Sequence, residues 1–246
     1  LNGGAGNDIL TGTANADTLD GGAGKDKLVH TSDEATQSLT DSQMTAGGVT
    51  DTIAQTTDET PVSTTEQADP TGGDETNTID ASGFSGVVTI TGGAGDDVLT
   101  GAAGADVLNG GDGADVLTGG LGNDTLNGGA DNLGTEGGVG DKVIQSSDTD
   151  QTLTDSSLTA GEVTDTLSDI ETADLTGGAS DNAIDASGFT GSVTMTGAAG
   201  SDTLSGSSGA DSLVGGAGQD CLLGAGGNDT LEGDAGSDEL YGGDGD

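Results

Sequence analysis

Residues 92–127 read GGAGDDVLT GAAGADVLN GGDGADVLT GGLGNDTLN, one nine-residue phrase written four times. Gly stands first and fourth, Asp sixth and Leu eighth. Working outward, the phrase recurs in two further blocks, three units from Gly3 to Val29 and five from Gly197 to Tyr241. Gly is first in all twelve units and fourth in all but one, where Asn15 replaces it. Asn is among the residues that tolerate positive φ best after Gly. Such periodicity is the mark of a chain that stacks on itself.

Each position has a physical reading. The glycines permit a tight turn with carbonyls facing inward. The last three residues form a short strand whose middle side chain, the Leu, points to one side. Two units then close one coil of eighteen residues, with strands on opposite sides, and coils stack at about 4.8 Å. The expected fold is all-β, a parallel β-roll or β-solenoid with glycine-rich turns.

Stacking would place the sixth-position aspartates in rows. They are Asp8, Asp17, Asp26, Asp97, Asp106, Asp115, Asp124, Asp202, Asp211, Asp220, Asp229 and Asp238. Carboxylates about 5 Å apart repel one another unless a cation lies between them. Two Asp plus carbonyls from adjoining turns supply the roughly 6–8 oxygens at 2.3–2.6 Å that Ca²⁺ takes, whereas Mg²⁺ prefers smaller octahedral sites. Without His or Cys at the turns, zinc and other transition metals are disfavoured. A solvated acidic face would not demand Asp over Glu at every ninth residue. The same argument does not extend to Asp33, Asp58, Asp148 and Asp150, outside the units, which read as solvated surface.

Composition agrees. The 246 residues carry a formal charge of −41, with three Lys, no Arg, no Trp and 50 Gly. Such acidity with so few aromatics would ordinarily specify disorder, so the periodic chain needs its charge neutralised. One buried Leu contributes about 1.5–3 kcal/mol, less than ordering nine residues costs. Metal binding and folding are therefore expected to be one event. Nucleic acid requires a basic footprint that this chain lacks, and no apolar run is long enough to span a bilayer as a helix. Cys221 is the single cysteine and His30 the single histidine, which leaves no disulfide within the chain and no paired histidines for catalysis or zinc. No GxSxG, HExxH or EF-hand phrase occurs, so a non-enzymatic protein is expected.

The twelve units resemble the RTX, or haemolysin-type, calcium-binding nonapeptide, GGxGxDxUx. The resemblance implies a right-handed β-roll, multiple Ca²⁺ held by the Asp side chains and turn carbonyls, and export from a bacterium to the cell surface or medium. Extracellular modules bind Ca²⁺ at about 10⁻⁴–10⁻³ M, which suits a chain exported unfolded and ordered outside.

Between the blocks lie two related modules. LTDSQMTAGGVTDTI (39–53) matches LTDSSLTAGEVTDTL (153–167), and NTIDASGFSGVVTITG (77–92) matches NAIDASGFTGSVTMTG (182–197). The chain is thus a large repeat seen about twice: calcium block 1–29, Thr/Ser-rich module 30–91, calcium block 92–143, module 144–196 and calcium block 197–246. The modules are expected to continue the solenoid without calcium, with Phe84 and Phe189 filling its interior. In the seam at 128–143, Asp131 and Asp141 are further candidate ligands. The Thr-rich modules, with Ile170-Glu171-Thr172, are similar to those of bacterial surface-layer proteins and giant RTX adhesins. A structural role is expected, as part of a surface layer, matrix fibre or adhesin stalk, and the exposed edge strands of an open solenoid would allow self-association into a filament or lattice. The rival is the calcium-binding C-terminal region of a secreted RTX enzyme or toxin. Ice binding through flat Thr arrays fits poorly, since the outward positions mix Thr, Val, Asn, Ser and Glu. Leu1-Asn2 fits the tail of a preceding unit and Gly242–Asp246 begins another, so a longer parent chain is expected.

Overall fold

The computed structural model describes residues 1–6, 8–12, 18–23, 27–31, 36–40, 43–46, 49–54, 67–130 and 140–245; Asp17, Asp26, Asp33, Asp58 and Asp131 lie outside the described residues. Among the described residues every regular element is a β-strand. Parallel strands stack into a β-solenoid with the form of a β-roll. The chain divides into two compact units, Leu1–Gly138 and Val139–Asp246.

In each unit successive short strands alternate between two parallel sheets. Val98–Thr100 and Val116–Thr118 pair in one sheet, with Leu99 opposite Leu117. Val107–Asp112 and Thr125–Ala130 pair in the other, with Leu108 opposite Leu126. Partners eighteen residues apart confirm two nonapeptides per coil. The two sides of a coil are unequal. On one the strand ends after three residues, while on the other it continues through the glycines, as in the pairing of Gly93 with Gly111. The reading of a three-residue strand therefore holds for one side only.

The core follows from the period of two within each strand. Leu99, Leu108, Leu117 and Leu126 of the first unit are fully buried, as are Leu204, Leu213 and Leu222 of the second. Within each unit a Leu in the middle of a short strand lies beside the Leu or Ile in register one coil away, Leu99 beside Ile79 and Leu117, and Leu204 beside Ile184 and Leu222. Flanking seventh and ninth residues stay at least partly exposed, Cys221 among them.

The modules do continue the solenoid, and they lengthen its coil. Ile79 pairs with Leu99, and Ile184 with Leu204, in coils of twenty residues. The additional residues form an ASGF corner. Asp80 Oδ1 accepts from Ser82 N and Asp185 Oδ1 from Ser187 N, each at 2.9 Å. These Asx turns swing Phe84 and Phe189 into the core. Each module also contains an antiparallel excursion that the sequence reading did not anticipate. Thr36–Thr40, Gln43–Ala46 and Val49–Ala54 form one three-stranded meander, and Gln151–Thr154, Ser157–Ala160 and Val163–Ser168 form the other. Their edge strands rejoin the parallel sheets, Thr36–Thr40 beside Thr78–Gly83 and Gln151–Thr154 beside Ala183–Gly188.

Candidate metal sites

Among the described residues, the sixth-position Asp of the central units follows a glycine turn and precedes a strand with a buried Leu, which fixes its side chain inside the coil. Asp97, Asp106, Asp115, Asp124, Asp202, Asp211 and Asp220 are all buried. One carboxylate oxygen serves as a strut to the coil before. Asp115 Oδ1 accepts from Asp97 N at 2.7 Å, and Asp124 Oδ1 from Asp106 N at 2.8 Å. In the second unit Asp220, Asp229 and Asp238 accept from Asp202, Asp211 and Asp220 at 2.8, 3.0 and 3.1 Å. Five of the pairs eighteen apart are thus brought together, through an N–H rather than by carboxylates facing across a gap. Asp8 is half-buried and its carbonyl accepts from Lys27 N.

The other oxygen faces the turn of its own unit. A Cβ on Gly92, Gly110 or Gly215 would collide with Oδ2 of Asp97, Asp115 or Asp220 respectively. The first-position Gly is therefore required for room, not for a left-handed backbone. The left-handed backbone belongs to the second and fourth positions, with φ of 123° at Gly93 and 103° at Gly95, and 124° at Gly111 and 141° at Gly113.

The Oδ2 atoms of Asp97, Asp202, Asp220 and Asp229 are buried with no hydrogen-bond partner. A buried ionised oxygen without a donor is costly. Burial pushes the Asp97 carboxyl up to about 6, opposed by the Asn77 N–H and assisted by the charge of Asp96. Asp202 is also raised, first by burial and then, against the Asn182 N–H, by the charges of Asp220, Asp181 and Asp148. Burial raises Asp106 and Asp211 as well, although backbone N–H groups counter it. A cation relieves both the missing donor and the repulsion. Among the described residues no three acidic, His or Cys side chains converge, so any further ligands there would be backbone carbonyls. Hard oxygens from carboxylates and carbonyls suit calcium.

Several residues escaped the sequence reading. Asn77 and Asn182 occupy the sixth place of cryptic units, Gly72–Asp80 and Gly177–Asp185, and donate their N–H to Asp97 and Asp202. The signal was a Gly-Gly pair five residues earlier and an Ile two residues later. Glu171 acts as a strut for Asp141, its Oε2 accepting from Asp141 N at 2.9 Å. Asp148 and Asp150, read as solvated surface, are exposed yet accept from Ser180 N and Ala183 N, tying the start of the second module to its cryptic unit Gly177–Asp185.

Turns that bury a carboxylate oxygen without a donor, stacked at a fixed interval, define a calcium-binding β-solenoid. The family model for the RTX calcium-binding nonapeptide repeat matches residues 1–29, 71–108, 82–117, 100–132, 196–231 and 223–246, together more than half of the chain, and the chain belongs to that family. The match beginning at residue 71 takes in the cryptic unit of Asn77. No curated protein matches the chain.

Proposed function

We propose that this protein is a non-catalytic, extracellular structural element, a stretch of surface layer, matrix fibre or adhesin stalk, that orders on binding calcium after secretion. The observation that carries the reading is the set of buried, donorless Oδ2 atoms at Asp97, Asp202, Asp220 and Asp229. Without a cation these groups oppose the fold, and with one they join successive coils. We assign the metal to these aspartates and to Asp115 and Asp124, whose turns have the same left-handed second residue, Gly111 and Gly120. The Thr/Ser-rich modules, present in two related copies, support a load-bearing repeat over a single roll appended to an enzyme. The charge of −41 supports a chain that stays extended where calcium is scarce.

The test is circular dichroism during a calcium titration, with chelator as the reference. A cooperative gain of β signal in the submillimolar to millimolar range is expected. Full β signal in excess chelator would sink coupled folding. Electron microscopy in calcium tests the structural role: filaments or lattices are expected, and monodisperse short rods would count against it.

A further inference from the structure

The repeat turns are of two kinds, and local sequence does not separate them. Gly101-Ala102-Ala103-Gly104-Ala105-Asp106 and Gly197-Ala198-Ala199-Gly200-Ser201-Asp202 share the pattern GAAGxD. In the second, Ala198 is held at φ 80° and Asp202 Oδ2 is buried without a donor. In the first, Ala102 has an ordinary backbone and its N–H donates to Asp106 Oδ2 at 2.6 Å. The Asp211 turn repeats the first arrangement: Ser207 N donates to Asp211 Oδ2 at 2.7 Å, and the Ser207 hydroxyl lies 2.9 Å from Oδ1.

Position in the coil separates them. Asp106 Oδ1 accepts from Val88 N and Asp211 Oδ1 from Val193 N, both in the strands that follow the buried phenylalanines. These are therefore the first repeat turns stacked on the ASGF corners. On the other side of the coil the corresponding first turns belong to Asn77 and Asn182. There a neutral amide oxygen accepts from Gly73 N at 2.9 Å and from Gly178 N at 2.8 Å. Among the described residues, the first turn of each of these four rows, at Asn77, Asp106, Asn182 and Asp211, is closed by an N–H of its own second residue. One coil further on, Gly93, Gly120, Ala198 and Ala225 all have positive φ. Two of these are alanines, in a conformation that L residues adopt only when something compensates for it.

We propose that the Asp106 and Asp211 turns, like those of Asn77 and Asn182, are closed by the chain's own backbone and take no calcium, so that each row of ions starts one coil beyond its closed first turn, at Asp97, Asp124, Asp202 and Asp229. This rests on the calcium reading above. A cation at Asp106 or Asp211 would have to displace a backbone donor already seated on Oδ2, whereas at Asp97 and Asp202 no donor occupies that oxygen.

Native mass spectrometry of the full chain at saturating calcium counts the ions. Asp106→Asn and Asp211→Asn are expected to keep the wild-type count, because an amide oxygen already does this work at Asn77 and Asn182. Asp97→Asn and Asp220→Asn are expected to lose at least one ion each. Loss of an ion from Asp106→Asn or Asp211→Asn equal to that from Asp97→Asn overturns the proposal. Should either variant lack β signal in calcium, anomalous diffraction from calcium-loaded wild-type crystals decides. A calcium peak bonded to Asp106 or Asp211 overturns it, and peaks at Asp97 and Asp202 with none at those two support it. A wild-type chain that binds no calcium at all would overturn the calcium reading itself, a different result from either.

Discussion

The backbone N–H of Asp97 donates to Oδ1 of Asp115, eighteen residues further on, at 2.7 Å. One acidic side chain thus does two jobs. Its first oxygen holds the previous coil, and its second faces the glycine turn where a cation is needed. The invariance of Asp over Glu follows, because the shorter side chain reaches both places from a buried backbone.

The two jobs separate by mutation. Asp115→Ala leaves the buried Asp97 N–H without its acceptor, at a cost of about 1–3 kcal/mol, and also removes the metal ligand. Asp115→Asn retains an acceptor. Urea unfolding in saturating calcium should show the larger loss for Ala, while both variants need more calcium to fold. Equal losses in urea would rule out the strut.

Second-position substitutions should have opposite signs. Ala225 is held at φ 72°, and Gly relieves that strain, whereas Ala102 has an ordinary backbone. Left-handed backbone costs an L residue about 1–2 kcal/mol, and Gly adds about 0.4–1 kcal/mol of unfolded-state entropy. Ala225→Gly is expected to stabilise the calcium-loaded fold by up to about 1 kcal/mol. Ala102→Gly is expected to destabilise it by about 0.4–1 kcal/mol. Thermal melts in calcium measure both.

Acid should replace calcium in part. In the metal-free fold the Asp97 carboxyl is raised from 3.8 to about 6, and burial raises Asp202 in the same direction. A raised carboxyl favours the fold when protonated. For Asp97 that contribution is complete below about 3.8 and is lost as the pH rises through about 6. With chelator present, β signal should therefore grow as the pH falls from 7 towards 4. With calcium limiting, its affinity should drop over the same interval, since protons and the cation compete for the same oxygens. A chelated chain whose dichroism ignores pH would contradict this account.

The module core should fail regardless of calcium. Phe189 is 2 % exposed, and truncating a buried Phe to Ala costs about 3–5 kcal/mol. Phe189→Ala is expected to lower the urea midpoint in saturating calcium without altering the number of ions bound. Rescue by added calcium alone would place Phe189 outside the core.

The sequence by itself determined the coil. A nine-residue period with Leu at its eighth place admits one strand per unit and two units per turn, because that arrangement turns the Leu side chains inward from one side of each short strand. It also located the sixth-position aspartates, since burial of a carboxylate at fixed pitch needs a cation. It placed Phe84 and Phe189 inside, as the large apolar side chains of otherwise Thr- and Ser-rich segments. Tertiary structure alone decided the antiparallel meanders, whose strands carry the same alternating pattern whichever way they pair. It alone enrolled Asn77, Asn182 and Glu171 as members of the rows, because their roles depend on which N–H lies one coil away. Most plainly, it gave GAAGAD at Gly101 and GAAGSD at Gly197 different backbones. A nonapeptide fixes which atoms a turn contains, but the layer it stacks on fixes which way its second residue turns.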